Sequence, residues 1–466
     1  MRRAARSASD RAVVHEYDLA CEVNMSTRSQ DRTTADTKRP SAIRRFFGIL
    51  GPGLITGASD DDPSGIATYA QAGASFNYAM LWTVPLSLPM MMAVQEICDR
   101  TATATGESLG ALARRKFGRG MRVVIGILLV ALMVANCLNL AADLMAIGQG
   151  MQLLHAGPAA LWSAIAGIAI VIIMIAGSFS VVTKIFKWLC VTLFAYVAVL
   201  FVSHVRWGEV LAGSLGTQFT LSPAYLGLVV AVLGTTISPY LFFWQSANRI
   251  EEMRAEGDDD DPHPLKERPH QEAKTKLRHA RLDVFSGMFF SVLVMFAIMT
   301  ATSATLGAHG KSINSAADAA KALEPIAGPA ASALFALGFI GAGMLAVPIL
   351  AAAGSAGIAA LFDKKWGLDR GPRSAPVFYA LIGVGTIAGT LLSVFATNPI
   401  GLLVFSALVN GIAATPFLIV IMLIARDRRI MGEYRNGKLA AFLGWGVTAI
   451  MLVAGVIGVW QAFAGG

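Results

Sequence analysis

Five acidic residues fall inside the apolar stretches of this sequence: Asp60, Asp61, Asp62, Glu96 and Asp143. Three are consecutive, in FFGILGPGLITGASDDDPSGIATYAQAGASF. A charge at bilayer depth costs at least ~2.5–3.5 kcal/mol, so such residues mark ion or proton paths. Pro63 removes a backbone donor and clashes with the preceding turn, while Ser64 and Gly65 add little helical preference, so the helix is predicted to break beside Asp62. Unpaired carbonyls at the end of the first half-helix carry partial negative charge. Beside a carboxylate they make a cation site. A second apolar stretch, AYLGLVVAVLGTTISPYLFFWQSANRI, is interrupted in the same manner at Gly234-Thr235-Thr236-Ile237-Ser238-Pro239-Tyr240. Broken backbone at membrane depth survives only where it is buried or lines a wet cavity. The chemistry predicted is reversible binding of a cation by oxygen atoms.

The elements that must position these residues are membrane spans. The chain is 55% hydrophobic and 15% charged over 466 residues, with mean hydropathy +0.59. A soluble chain carries about 25% charged residues, so an ordinary soluble enzyme is excluded. Apolar runs of bilayer length recur eleven times: 46–76, 79–98, 123–152, 158–177, 182–203, 224–247, 284–306, 328–361, 375–396, 399–424 and 439–462. The expected fold is therefore an all-α polytopic membrane protein of 11 transmembrane helices. The interrupted spans are the first and the sixth. Two such spans five apart are the signature of a five-plus-five inverted repeat with the substrate site between them.

Charge placement orients the spans. With the N-terminus inside, 35 of the 38 Lys and Arg residues fall in inner segments, and only Arg206, Lys311 and Lys321 fall in outer loops. This follows the positive-inside rule and predicts an inside N-terminus and an outside C-terminus in a cytoplasmic (inner) membrane. The pI near 9.4 is then topology plus attraction to anionic lipid, and no nucleic acid is implied. Residues 1–45 are expected to be a disordered cytoplasmic tail, with Met25 an alternative start, and residues 46–462 the transporter domain. The 248–281 segment is expected to be a solvated cytoplasmic linker between the repeats. Its acidic run Asp258–Asp261 and its His263, His270 and His279 are read as part of that linker. Cys21, Cys98, Cys137 and Cys190 are scattered singly and read as small apolar residues. Glu96 is expected to pair with Arg100 one turn on or to line a vestibule. Asp143 must face the interior, as a relay or as a hydrogen-bonded structural acid, with Asn136 and Asn139 as packing glue.

These residues resemble the NRAMP family of divalent metal transporters. Asp62-Pro63-Ser64-Gly65 falls on that family's Asp-Pro-Gly-Asn motif, and Ser238-Pro239-Tyr240 falls on its Met-Pro-His motif. RTATATGESLGALA, NLAADL and RRIMGEYRNGKLAAFLGW are similar in order along the chain. The resemblance covers roughly residues 45–462 and implies a LeuT-like fold with broken helices 1 and 6. It implies Asp62 as the anionic ligand, with carbonyls near Ser59 and Thr235 and the Ser238 hydroxyl completing the site, and Gly65 making space. Asp61, Glu96, Asp143 and Tyr240 are vestibule or relay candidates.

The departures carry chemistry. The family's asparagine is Gly65, its methionine Ser238, its two sixth-span histidines Tyr240 and Gln245, its second third-span acid Ala146, and its tenth-span glutamine Ala407. Losing sulfur removes the preference for softer metals. Fewer ligands leave room for a partly hydrated ion such as Mg2+, and lost histidines remove proton carriers. The resemblance thus points to the NRAMP-related magnesium transporter branch: inward Mg2+ transport, with Mn2+ as well, without proton coupling. The alternative is a proton-coupled Mn2+/Fe2+ symporter. An amino-acid or sodium symporter of the same fold and an intramembrane aspartyl hydrolase using Asp62 and Asp143 are less well matched. No enzyme activity, cofactor or obligate protein partner is expected, only the divalent ion and the lipid bilayer.

Overall fold

The computed structural model describes residues 52–176, 205–256, 262–309, 331–395 and 398–464, with isolated positions between 193 and 200 and at 313. The tail at 1–45 and the acidic run Asp258–Asp261 lie outside the described residues, and the fifth expected span, 182–203, lies almost wholly outside them. The described elements are helical. They run α1 (Pro52–Asp60), α2 (Pro63–Phe76), α3 (Thr83–Thr105), α4 (Leu109–Lys116), α5 (Arg119–Leu153), α6 (Ala159–Ala176), α7 (Trp207–Ser214), α8 (Pro223–Thr236) and α9 (Pro239–Glu256). After these come α10 (His270–Thr305), α11 (Ala331–Leu361), α12 (Pro376–Phe395), α13 (Pro399–Arg426) and α14 (Lys438–Ala464).

Among the described residues, eight helical stretches are long and apolar enough to cross a membrane. They coincide with the third, fourth and sixth to eleventh expected spans, α8 and α9 counting as one. The total becomes nine if Pro63–Met80 and Thr83–Thr105, bent by 113° at their junction, form a single span. The expected count of eleven is not reached: α1 and α2 are each too short, and the fifth span is not described. Two boundaries also differ from expectation. Helix α3 continues past residue 98 to Thr105 and ends at Gly106, whose φ of 68° is the left-handed cap that glycine adopts freely. Helix α9 continues to Glu256 and α10 begins at His270, so most of the 248–281 segment is helix. In α9 the charges of Arg249 and Glu251 are buried against partners, whereas the first three turns of α10 are largely exposed helix.

The layering is that of a protein dissolved in lipid. Peripheral helices turn apolar stripes outward at helical spacing: Val123, Ile127, Val130 and Val134 on α5, and Ile168, Ile172 and Ile175 on α6. The interrupted α8–α9 stretch is the opposite case, 89% of its most apolar window being buried inside the protein. Among the described residues, α5 and α11 form the most extensive helix pair, and α10 packs along α1 and α2. The α1–α10 contact is set by small residues. A Cβ on Gly53 would lie within 2.6 Å of the Asp283 and Val284 backbone, and one on Gly57 would overlap the Gly287 backbone. Glycines four apart on one face let two backbones touch. Gly57→Ala is therefore expected to destabilise the protein by ~3 kcal/mol or more, at or beyond the upper end of ordinary overpacking, because backbone cannot yield as a side chain does. Folded yield and thermal midpoint in detergent measure it. Gly437→Ala, where a Cβ meets nothing within 4 Å, is the control.

At the polar end, Lys116 pairs with Asp427, which also caps the short turn Arg428–Met431. The Lys116 ammonium and the Arg429 amide hold the Asp427 carboxyl below the usual carboxylate range. Its contribution is complete above the ordinary Asp pKa of about 3.9 and fades only as pH falls through the lowered value.

Candidate functional site

Both predicted breaks are present. Helix α1 ends at Asp60 and α2 begins at Pro63, while α8 ends at Thr236 and α9 begins at Pro239. Each second half starts with proline at its first position, where the missing N–H costs nothing. Asp62 is the N-cap of α2, with extended backbone at φ −67° and ψ 167°. Its Oδ1 accepts from the Ser64 hydroxyl at 2.6 Å and from the Gly65 amide at 2.7 Å. Its Oδ2 is left with long contacts only, from Asn139 Nδ2 at 3.4 Å and the Tyr240 hydroxyl at 3.5 Å. That hydroxyl also donates to the Ser59 carbonyl at 3.1 Å. One phenol proton thus serves two acceptors, the Ser59 carbonyl and Asp62 Oδ2. A cation entering between them would meet two hard oxygens that one weak donor now shares. Asn139, read from sequence as packing glue, is instead beside the carboxylate.

The second break faces the first. The Thr235 hydroxyl lies 3.4 Å from the Ser64 hydroxyl. Ser238 folds back on the end of α8, its hydroxyl shared between the Gly234 and Thr235 carbonyls at 2.8 Å each. Its proton is committed there, and what it offers a cation is a lone pair. The Thr235 carbonyl keeps its second lone pair free of that bond. At Gly65 a Cβ would come within 3.1 Å of the Asp60 carbonyl and 3.2 Å of the Thr235 hydroxyl, so the residue keeps the two breaks close. Gly234 in turn abuts Ala407 and Gly411 of α13.

The remaining acids separate into distinct settings. Asp143 on α5 is fully buried beside Asp62 and the Ser64 amide, and neither carboxylate oxygen makes a hydrogen bond of good geometry. Asp60 and Asp61 both face Ser291 of α10, at 2.8 Å and 3.3 Å, and not the Asp62 pocket. Glu96 forms ion pairs with Arg100 and Arg281, each at 3.0 Å; of the two settings expected for it, the ion pair is the one found. The sequence assigns no site role to Ser64, Ser291 or Asn410, and only a packing role to Asn139. Asn410 is buried on α13 with both amide atoms unpartnered. Its signal was present: it lies one helical turn from Ala407 in an otherwise apolar run. Among the described residues no cluster of three or more His, Cys, Asp or Glu side chains could hold a metal. The oxygens here come from backbone, hydroxyl and amide groups around one or two carboxylates.

Below the first break lies a buried ionic network. Gln245 takes the Thr56 hydroxyl at 2.5 Å and donates to Asp99 at 2.7 Å. Arg249 pairs with Asp99 at 2.6 Å and Asp283 at 3.1 Å, and also with Glu252. Asp283 accepts the Gly53 amide at 2.8 Å. Four helices, α1, α3, α9 and α10, are thereby tied to one guanidinium. Asp99 and Arg249, read from sequence as loop residues, are buried within helices.

Two interrupted helices meeting at a buried carboxylate, inside a shell of outward-facing apolar helices, are the arrangement of a membrane transporter with a cation path. Comparison with known proteins narrows that class. The family model described as natural resistance-associated macrophage protein-like, Nramp, matches residues 53–461, and the chain belongs to that family. It is a multi-pass divalent metal cation transporter and not an enzyme. The Divalent metal cation transporter MntH of Deinococcus radiodurans is 23% identical over 442 residues, spanning 93% of this chain and 94% of the relative. The MntH of Ralstonia nicotianae is 26% identical over 436 residues, spanning 91% and 92%. The Eremococcus coleocola manganese transporter superposes with a TM-score of 0.69 at 15% identity, covering 91% of this chain and 89% of that one. Mhp1, a nucleobase-cation-symport-1 family transporter, follows at a TM-score of 0.50 and 16% identity, covering 89% and 93%. These two carry the fold alone, which is LeuT-like.

Proposed function

We propose that the protein carries a hard divalent cation, Mg2+ first and Mn2+ also, inward across the cytoplasmic membrane without moving protons with it. The observation that supports this is the donor set at the paired breaks. Asp62 Oδ2, the Ser59 and Thr235 carbonyls and the hydroxyls of Ser64, Thr235, Ser238 and Tyr240 are all oxygen. Neither sulfur nor imidazole is among them. Oxygen ligands suit Mg2+ and Mn2+, and Mg2+ is typically held by one or two carboxylates with several waters retained. In this reading eleven spans form two inverted repeats, spans one to five and six to ten, with the N-terminus inside and the C-terminus outside. Access alternates by rocking of the halves around the fixed site.

A second reading is a proton-coupled Mn2+ carrier. Asp143, buried beside Asp62 without a well-made hydrogen bond, is the group that favours it. The test is uptake into proteoliposomes with a magnesium dye and a pH dye read in parallel. Mg2+ entry without acidification is expected. Mn2+ entry with acidification and no Mg2+ entry would replace this reading with the second.

A further inference from the structure

Asp60 and Asp61 do not belong to the pocket just described, and nothing in it uses them. They close the first half of the broken helix, on the face where α1 lies against α10. The glycine contacts at Gly53 and Gly57 bring the two backbones together, and about one turn further on, the two carboxylates meet Ser291. The Ser291 hydroxyl has a single proton and spans Asp60 Oδ2 at 2.8 Å and Asp61 Oδ1 at 3.3 Å. The other oxygen of each carboxylate, Asp60 Oδ1 and Asp61 Oδ2, is buried without a hydrogen-bond partner. An independent side chain faces the same place. The ring of Tyr69 on α2 packs by Gly65 beside the Asp60 carbonyl. Its hydroxyl, on a residue with no exposed surface, also lacks a partner. Among the described residues, no Lys or Arg forms an ion pair with Asp60, Asp61, Asp62 or Asp143.

Four carboxylates therefore lie buried around the first break with no basic partner. In its charged form each is expensive to hold buried without a cation beside it. We propose that Asp60, Asp61 and Ser291, with the Tyr69 hydroxyl, form a second site that takes a hard divalent cation on the α10 side of the break. The ligands are two carboxylates and two hydroxyls, all oxygen, with water for the remaining positions. The second ion joins α1 to α10 through charge where the glycines join them through packing.

The test is equilibrium binding of Mn2+ to the purified full chain in nanodiscs, with free Mn2+ counted by electron paramagnetic resonance. Two ions per chain are expected for the parent. One is expected for the double variant Asp60→Asn with Asp61→Asn, and one for Asp62→Ala. Retention of that one ion shows that the double variant is folded. Ser291→Ala, a smaller change, is expected to weaken one of the two ions by ~10-fold and leave the other unchanged, as loss of a supporting contact does. One ion in the parent, abolished by Asp62→Ala, overturns the second site, as do two ions retained by the Asp60/Asp61 double variant. Two bound ions in a chain that fails to admit Mg2+ would overturn the proposed function and not this site.

Discussion

Replacement Asp62→Asn is expected to stop divalent uptake while leaving the protein folded. The two jobs of this side chain separate cleanly in the structure. Oδ1 caps α2, taking the Ser64 hydroxyl and the Gly65 amide, whereas Oδ2 faces the gap beside Tyr240 and Asn139. Asparagine caps a helix about as well as aspartate, so the first job survives; alanine would lose it, at a cost of ~0.5–2 kcal/mol. What asparagine cannot supply is the negative charge that compensates a divalent ion for its lost water. Loss of a supporting partner usually costs ~10–100-fold in metal affinity or activity. A direct anionic ligand should cost more, and initial Mg2+ uptake in proteoliposomes at matched protein content should fall by at least ~100-fold relative to the parent. The thermal midpoint of the same variant in detergent should stay near the parent value. Uptake within a few-fold of the parent would move the ion away from Asp62.

How much of this was legible in the sequence depends on range. The helix breaks were, because proline, glycine and serine act within a turn: Pro63 and Pro239 begin the second halves where local chemistry demands. The apolar periods marked the peripheral helices for the same reason. What each acid faces was not legible. Asp60 and Asp61 meet Ser291, some 230 residues away in sequence, and no pattern within α1 or α10 specifies that meeting; only the close approach of Gly53 and Gly57 does. Asn139 reads as one more polar residue in a transmembrane helix until α5 is laid beside the break. Helices α3 and α9 run beyond their apolar stretches for a related reason. Charge in a sequence points to water, yet Asp99 and Arg249 are charged residues that are buried because they meet each other. A partner on another helix overrides the solubility of either group alone.

That partnership carries the second large effect. Arg249→Ala is expected to destabilise the protein by ~3–5 kcal/mol, the usual consequence of removing one member of a buried ionic group and leaving the rest uncompensated. The reason lies in the count of what is stranded. Asp99 and Asp283, each about 2% exposed, both lose their cation, and Glu252 loses its partner as well. Asp283 also holds the Gly53 amide, so the first turn of α1 depends on where that carboxylate sits. Most of the loss should belong to the abandoned carboxylates and not to missing arginine packing, and a double-mutant cycle separates the two. In a background already carrying Asp99→Asn and Asp283→Asn, no buried charge remains at those positions to be stranded, and Arg249→Ala should cost well under half of what it costs in the parent. Protonation offers the same relief by another route: a carboxylate without its cation is better neutral, so the deficit of Arg249→Ala should shrink as pH is lowered. Thermal midpoints of the detergent-solubilised variants across pH measure both effects. Equal costs of Arg249→Ala in the two backgrounds would mean that the arginine acts as a packed side chain, and that α1, α3, α9 and α10 are held together there by shape and not by charge.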